Sequence, residues 1–426
     1  MAILFAALML LTGCATLDND NIGPSAATDP SVASSPAANV RLAAHEGKLV
    51  RQTIEPLDDD FVSGLSSFGL SAASRLYKSD ENIALSPVSI SLALSMAHAG
   101  ANGETKDEMT AALGFSSLSD EQISAACKAL MWRANTGGME AANALWLLDG
   151  YDYKQNYIDT CTGQYMADIQ PLIIPGAMND VNAWASEKTH GRIKQILSEE
   201  PTVDTRMIIT NALYYLGDWE LPFEANDTYD KEFAAPSGAV TVPFMNSEWA
   251  VPYYSNDQFS MISLKFKAPA DEGRYAMAFI LPAENSTVAD VLASLDGAAF
   301  KAALNSSTDD QSVSISLPKF EFEYFAPLNK TLEDMGMRQA FSENDADFSG
   351  ITDTEPLFIS QVLHKCYVRV DELGAEAAAV TAVIMEAAGI PEPPPLAFDA
   401  NRPFIFAIYS QEDGAIAFIG AVNNPS

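Results

Sequence analysis

Residues able to ligate a metal or attack a carbonyl are few in this chain, and they are scattered. Four histidines stand at 45, 98, 190 and 364, and four cysteines at 14, 127, 161 and 366. No histidine pair has ligand spacing and no C-x-x-C occurs, so zinc and redox motifs find no support. His364 as a catalytic base or metal ligand lacks partners at a useful spacing. G-x-S-x-G, a Walker loop and H-E-x-x-H are all missing. Asp345-Ala-Asp-Phe-Ser-Gly350 begins like a calcium loop, but Pro356 stands at its twelfth position, where a bidentate Glu is required. No catalytic residue, metal site or cofactor is assigned, and the chain reads as something other than an enzyme.

The chemistry on offer is conformational. Glu372-Leu-Gly-Ala-Glu-Ala-Ala-Ala-Val-Thr-Ala-Val-Ile-Met-Glu-Ala-Ala-Gly389 is a run of small and apolar residues with no Pro before Pro391. Its alanines favour helix, while Val380, Thr381, Val383 and Ile384 favour strand. Such a segment can leave one conformation and pair fully inside a sheet. By itself it is equally readable as an Ala-rich surface helix. The three remaining cysteines, Cys127, Cys161 and Cys366, read as buried small hydrophobes rather than a disulfide framework.

The elements that must hold this segment can be read from periodicity and punctuation. Asp58-Asp-Asp60 introduces a helix over Phe61 to Tyr77, because acids suit a helix N-terminus. Asn82 to Leu85 is a short strand, followed by a helix with Ser86 as its cap and Pro87 in its first turn. Glu104 to Leu113 is a further helix, ended by Gly114. Strands are expected at Asn143 to Leu148, Arg206 to Tyr215, Tyr275 to Pro282, Phe404 to Tyr409 and Ala415 to Ala421. The alternation from Val313 to Phe325 predicts one continuous strand. An amphipathic pattern predicts a helix over Asp180 to Leu197. Strands and helices mix without strict alternation, which indicates an α+β body with largely antiparallel sheets.

Composition bounds the possible partners. With 48% hydrophobic residues in 426, the chain can bury a large core. Its net charge of −33 excludes phosphate backbones as partners and disfavours other polyanions. The first thirteen residues are apolar and uncharged, too short to span a bilayer, and fit a signal-peptide core. Leu11-Thr-Gly-Cys14 looks like a bacterial lipobox, with Cys14 the lipidated residue, although no Lys or Arg precedes the apolar run. The residues numbered 14–45, rich in Ser, Pro, Ala, Asn and Asp and lacking aromatics, read as a solvated tether. The expected organisation is therefore a leader (1–13), a lipidated tether (14–45) and a folded body (46–426) held at the bacterial cell envelope by the lipid alone.

From about residue 58 to its end, the chain resembles the serpin family. Asn82-Ile-Ala-Leu-Ser-Pro-Val-Ser-Ile90 with Gly100-Ala-Asn-Gly-Glu-Thr105 resembles its first strand–helix signature. Asn182-Ala-Trp184 through Thr189-His-Gly-Arg-Ile193 resembles the helix lying across the main sheet. Thr205, Asn211-Ala-Leu-Tyr214, Gly217-Asp-Trp219 and Pro222-Phe223 resemble that sheet's third strand. Leu317-Pro-Lys-Phe320, Asn401-Arg-Pro-Phe404, Phe418-Ile-Gly420 and Asn424-Pro425 close the pattern. Each motif is weak alone; their collinear order is specific. Ala421, Leu216 and Ala375 depart from the residues usual there (Arg, Lys, and Thr or Ser).

The resemblance implies a serpin fold of three β-sheets, about eight or nine helices and an exposed reactive loop over about 374–397. It implies a suicide inhibitor of serine proteases, with papain-like cysteine proteases as a further class. The cleaved loop then inserts as a central strand of the main sheet. The loop hinge falls on Glu372, Gly374, Ala375, Glu376, Ala377, Ala378, Ala379, Val380 and Thr381. By family registration Ala375, Ala377, Ala379 and Thr381 face the core, where small residues fit. Glu376 lies on the opposite face. The usual loop length places the cut bond at Ala388–Gly389, with cleavage after Met385 or Ala387 as alternatives. A small Ala before the cut suits an elastase-like protease. Ser86, Ser89, Asn211 and His364 match positions that hydrogen-bond beneath the opening sheet. Lys319 and Glu372 match an ion pair at the insertion point, with Trp219 packed nearby. A monomer is expected. The rival reading is a non-inhibitory serpin acting as a binding module or chaperone, against which the small hinge residues Ala377-Ala-Ala379 argue.

Overall fold

The computed structural model describes residues 2–13, 57–136, 139–267, 275–309, 311–373 and 394–426. Cys14, the expected tether, and the loop residues Gly374 to Thr381, Ala388 and Gly389 lie outside the described residues.

Local signals set the first elements of the body. Asp58 caps the helix Asp59–Leu76 by accepting the Asp60 amide at 2.8 Å. Ser86 caps the helix Pro87–His98, its hydroxyl accepting the Ser89 amide at 3.0 Å. Every residue of that second helix is buried. It has no solvated face because it lies inside the core, touching both the Thr205–Leu216 strand and the Ile416–Val422 strand.

Three sheets and nine α-helices make up the described residues. The main sheet runs in the order Phe320–Pro327, Leu357–Val370, Ala2–Gly13, Thr205–Leu216, Met139–Leu148, Ala167–Leu172. A second six-stranded sheet is built from Ile83–Leu85, Ile416–Val422, Phe404–Ser410, Tyr275–Pro282, Phe259–Lys265 and Tyr253–Ser255. The third has four strands, Leu396–Asp399, Ser312–Pro318, Gly238–Ala250 and Thr228–Ala235. Two pairings are parallel, Met139–Leu148 with Ala167–Leu172 and Ser312–Pro318 with Leu396–Asp399. The remaining strand pairs are antiparallel, as expected for an α+β serpin-type body.

Both faces of the main sheet are covered. Met207, Ile209, Leu213 and Tyr215 belong to the large core. Ile208, Ala212 and Tyr214 pack instead with Val181, Trp184 and Ala185 of the helix Ala177–Lys188, which lies across the other face. A strand buried on both faces must be apolar at nearly every position, and the Thr205–Leu216 sequence is.

Two expectations need correction. The helix predicted over Asp180 to Leu197 spans Ala177–Lys188. His190 and Gly191 adopt φ of 49° and 76°, which ends it. Side chains then take over the backbone's partners: Thr189 Oγ1 accepts the Ile193 amide, and Asn182 Oδ1 accepts those of Ile196 and Leu197. Ile193, Ile196 and Leu197 therefore remain buried without being helical. The strand predicted from Val313 to Phe325 is two strands in different sheets, Ser312–Pro318 and Phe320–Pro327. The chain crosses between them at Lys319, whose amide bonds to Pro243 O. Pro318 has no amide proton with which to extend the first ladder. Alternation continues across the break, so the period does not reveal it.

Ala2–Gly13, expected as a leader, forms a twelve-residue central strand of the main sheet in the full chain, paired on both sides. Twelve residues without Pro suit a strand paired along both edges.

Candidate functional site: the strand slot of the main sheet

The slot lies between Thr205–Leu216 and Leu357–Val370. Ala2–Gly13 fills it and is antiparallel to both neighbours. Its start, Ala2, lies beside Arg369 and Leu216, and its end, Gly13, beside Leu357. The chain leaving Val370 passes through Asp371, Glu372 and Leu373 at the same end as Ala2. A segment turning back from Leu373 into this slot would run in the same direction as Ala2–Gly13.

That end of the slot is braced. Trp219 is fully buried and stacks on Phe266 with ring centroids 4.7 Å apart. Its indole N–H donates to Asp371 O at 2.9 Å, and its amide donates to Leu373 O at 3.2 Å. The Phe223 amide donates to Glu372 O at 2.9 Å. Lys319 and Glu372 form an ion pair at 2.8 Å. Burial opposes the charge on Glu372. The Lys319 ammonium and the residue's own backbone amide outweigh it, and the carboxyl sits below its ordinary range. The structure thus brings Trp219, Lys319 and Glu372 together where the chain turns toward the loop.

Halfway along the slot stands a buried polar cluster. Asn211 and His364 are both registered with Ala7, one on each side of the central strand. Both are fully buried. The Ser86 amide donates to His364 Nε2 at 3.2 Å, so the ring proton resides on Nδ1. Burial depresses the His364 pKa to about 3, and the ring is neutral. Ser86 Oγ donates to Ala417 O at 2.8 Å, tying the capping residue to the second sheet. Ser89 is fully buried one turn along and donates its amide to Ser86 Oγ. Asn211 Nδ2 donates to Asn143 Oδ1 at 2.8 Å, while its own Oδ1 has no hydrogen-bond partner among the described residues.

Sequence reasoning missed three contributors. Asn143 is buried and relays Asn211 to Tyr165 O at 2.7 Å; an Asn inside Ala-Ala-Asn-Ala-Leu-Trp was a legible signal, because a buried amide needs partners. Cys366 donates to Ala84 O and lies 3.5 Å from His364 Nε2. Phe223 holds Glu372 through its backbone, which side-chain identity does not announce. Among the described residues, no group of three or more His, Cys, Asp or Glu could hold a metal ion.

A sheet with a slot beside a braced turn, crossed by a helix and floored by a buried Ser/Asn/His cluster, can be compared with known proteins. The family model for the serpins (serine protease inhibitors) matches residues 63–425. The chain belongs to the serpin family. A serpin-like protein of Thermococcus kodakarensis is 35% identical over 373 residues, covering 85% of each chain. The intracellular coagulation inhibitor 2 of Tachypleus tridentatus is 31% identical, covering 85% of this chain and 91% of the relative. The crystal structure of the thermophilic serpin tengpin in its native state superposes with a TM-score of 0.77 at 32% identity, covering 88% of this chain and 96% of tengpin. Serpins are in general protease inhibitors rather than enzymes, and their partners are target proteases.

Proposed function

We propose that this serpin is a suicide inhibitor of elastase-like serine proteases, with papain-like cysteine proteases as a second target class. The observation that carries the reading is the slot itself. It takes a twelve-residue strand antiparallel to both neighbours, and Leu373 lies at the end of the slot where that strand starts. The residues numbered 374–390 suit that place, being Pro-free and mostly small or apolar, with Glu376, Thr381 and Glu386 the polar ones.

The target's nucleophile attacks the Ala388 carbonyl, the bond to Gly389 breaks, and an acyl-enzyme remains on Ala388. Gly374 to Thr381 then enter the slot as a hinge. Twelve inserted residues at about 3.4 Å each carry the attached protease roughly 40 Å to the opposite end of the sheet. Insertion separates Asn211 from His364 and places backbone partners along both open edges. Trp219, Lys319 and Glu372 hold the turn from which insertion starts.

Lipidation at Cys14 and a location at the bacterial cell envelope belong to the same proposal, supported by the Leu11-Thr-Gly-Cys14 sequence. On this reading the serpin shields envelope proteins from foreign proteases and works as a monomer without a cofactor. Nicking the loop of the processed chain, from Cys14 onward, with a protease it does not trap tests the insertion. The thermal midpoint should rise by tens of degrees; an unchanged midpoint would favour the binding-module reading.

A further inference from the structure

The slot that the proposed mechanism needs is occupied in this structure by another part of the chain. Ala2–Gly13 pairs from Ala2 to Gly13 with Leu357–Val370 and from Ala2 to Thr12 with Thr205–Leu216. Each ladder has a single register shift, after Leu10 on one side and after Leu11 on the other. Two segments of one chain therefore compete for one place, in one direction. Glu372, at the foot of the loop, and the start of Ala2–Gly13 lie at the same end of the slot, where Ala2 pairs with Arg369 and Leu216.

We propose that Ala2–Gly13 is an intramolecular blocker of loop insertion, so that the chain cannot trap a protease while this segment remains attached and seated. The inference rests on the inhibitor reading for its consequence, but the occupancy itself stands on the register.

Three physical arguments support it. The first is composition: Ala2–Gly13 has no charged residue, whereas the loop carries Glu376 and Glu386. An uncharged strand carries no carboxylate that entry into the sheet could desolvate. The second is tethering. The residues numbered 14–56 could span up to roughly 140 Å at about 3.3 Å each, so attachment does not prevent seating and keeps the local concentration of the segment high. The third is the main-chain ladder: a strand paired along both edges leaves no vacant backbone groups for the loop to take.

The device would be relieved by hydrolysis of the Gly13–Cys14 amide before the body folds. Water adds across that bond, leaving a carboxylate on Gly13 and an amine on Cys14. A chain retained without that cleavage folds around its own leader and stays inert toward proteases. A processed chain has the slot free for the loop.

The test compares the full chain with the full chain carrying Leu8→Pro, and with Leu8→Asp as a second variant. Leu8 is registered with Leu363 and Thr210 at the middle of the slot. Proline removes a ladder hydrogen bond there, and aspartate is a charged, poor strand former. Neither change touches the body. Hydrogen exchange of Thr205–Leu216 and Leu357–Val370 reads occupancy without any protease. Exchange in the parent should be slower by roughly tenfold or more than in either variant. Mixing with an elastase-like protease then reads trapping as a covalent band on a denaturing gel. Slow exchange and no covalent band in the parent, with faster exchange and a band in the variants, is the expected result. Equal exchange in all three chains, or equal trapping by parent and variants, would overturn the proposal. Faster exchange in the variants with no covalent band from any chain would leave occupancy standing and defeat the inhibitor reading instead.

Discussion

Asn211 and His364 are registered with the same residue, Ala7, from opposite sides of the central strand. Each is anchored to a different layer, Asn211 through Asn143 and His364 through the Ser86 amide at the start of a buried helix. A strand seated in the slot therefore stands between them, and their separation follows from its occupancy.

The neutral state of His364 gives stability a pH dependence of known sign. Its folded pKa, about 3, lies below the unfolded histidine value, so the unfolded chain binds the extra proton. Stability is full above pH 6.5 and falls as pH drops from about 6.5 toward 3, by at most about 1.4 kcal/mol per pH unit from this group. His98, whose pKa is lowered to about 4 mainly by burial, adds a slope of the same sign. Denaturant unfolding between pH 4 and 7 should show His364→Gln with a shallower slope than the parent. Parallel curves would mean that His364 is protonated when folded.

The Lys319–Glu372 pair predicts a small effect. Its lysine is about one-third exposed, so Glu372→Gln should cost no more than about 1 kcal/mol in unfolding experiments. Because the folded carboxyl is below its ordinary range, that contribution is present above the unfolded carboxylate value and lost as pH falls through the folded one. A parent–variant difference that stayed constant from pH 7 to 3 would contradict it.

Thiol chemistry distinguishes the processed chain. Cys127, Cys161 and Cys366 are buried and unpaired. Burial pushes the Cys127 and Cys161 thiols up to about 12 and raises the Cys366 thiol well above its ordinary range. None should react with a thiol reagent in the folded protein. After denaturation an envelope-derived sample should titrate three thiols, and a chain with unmodified Cys14 should titrate four. Four thiols in the envelope sample would remove the lipid anchor from the account.

A proline in the hinge should uncouple cleavage from trapping. Ala377→Pro removes a ladder hydrogen bond from the inserting strand and leaves its acceptor unpaired, a penalty of about 1–3 kcal/mol. The processed variant should fold and be cut, while the ratio of trapped to released protease falls by roughly tenfold or more. An unchanged ratio on a denaturing gel would mean that residue 377 does not enter the sheet.

Much of the fold was legible because local rules and tertiary context agree. Ser86-Pro-Val-Ser89 encodes a capped helix start in four residues, and the structure builds that cap. The misread places are those where side chains replace backbone. Thr189 and Asn182 hold Ile193 and Leu197 in a helix-like spacing without a helix. The Ser312–Phe325 region changes sheets without changing its alternation. At the site, side-chain identity pointed to the buried cluster and the braced turn. The slot's occupant was not legible, because an apolar leader and a central strand favour the same composition. The pairing of Ala2–Gly13 with both neighbours is a tertiary fact that local sequence does not carry.

The most direct measurement of the central claim is to mix the processed chain with an elastase-like protease. The products are then resolved on a denaturing gel and identified by mass spectrometry. The account predicts a covalent species at the summed mass, with Ala388 acylating the protease, and a released C-terminal fragment beginning at Gly389. Complete cleavage at that bond with full recovery of active protease, repeated across elastase-like and papain-like enzymes, would contradict it.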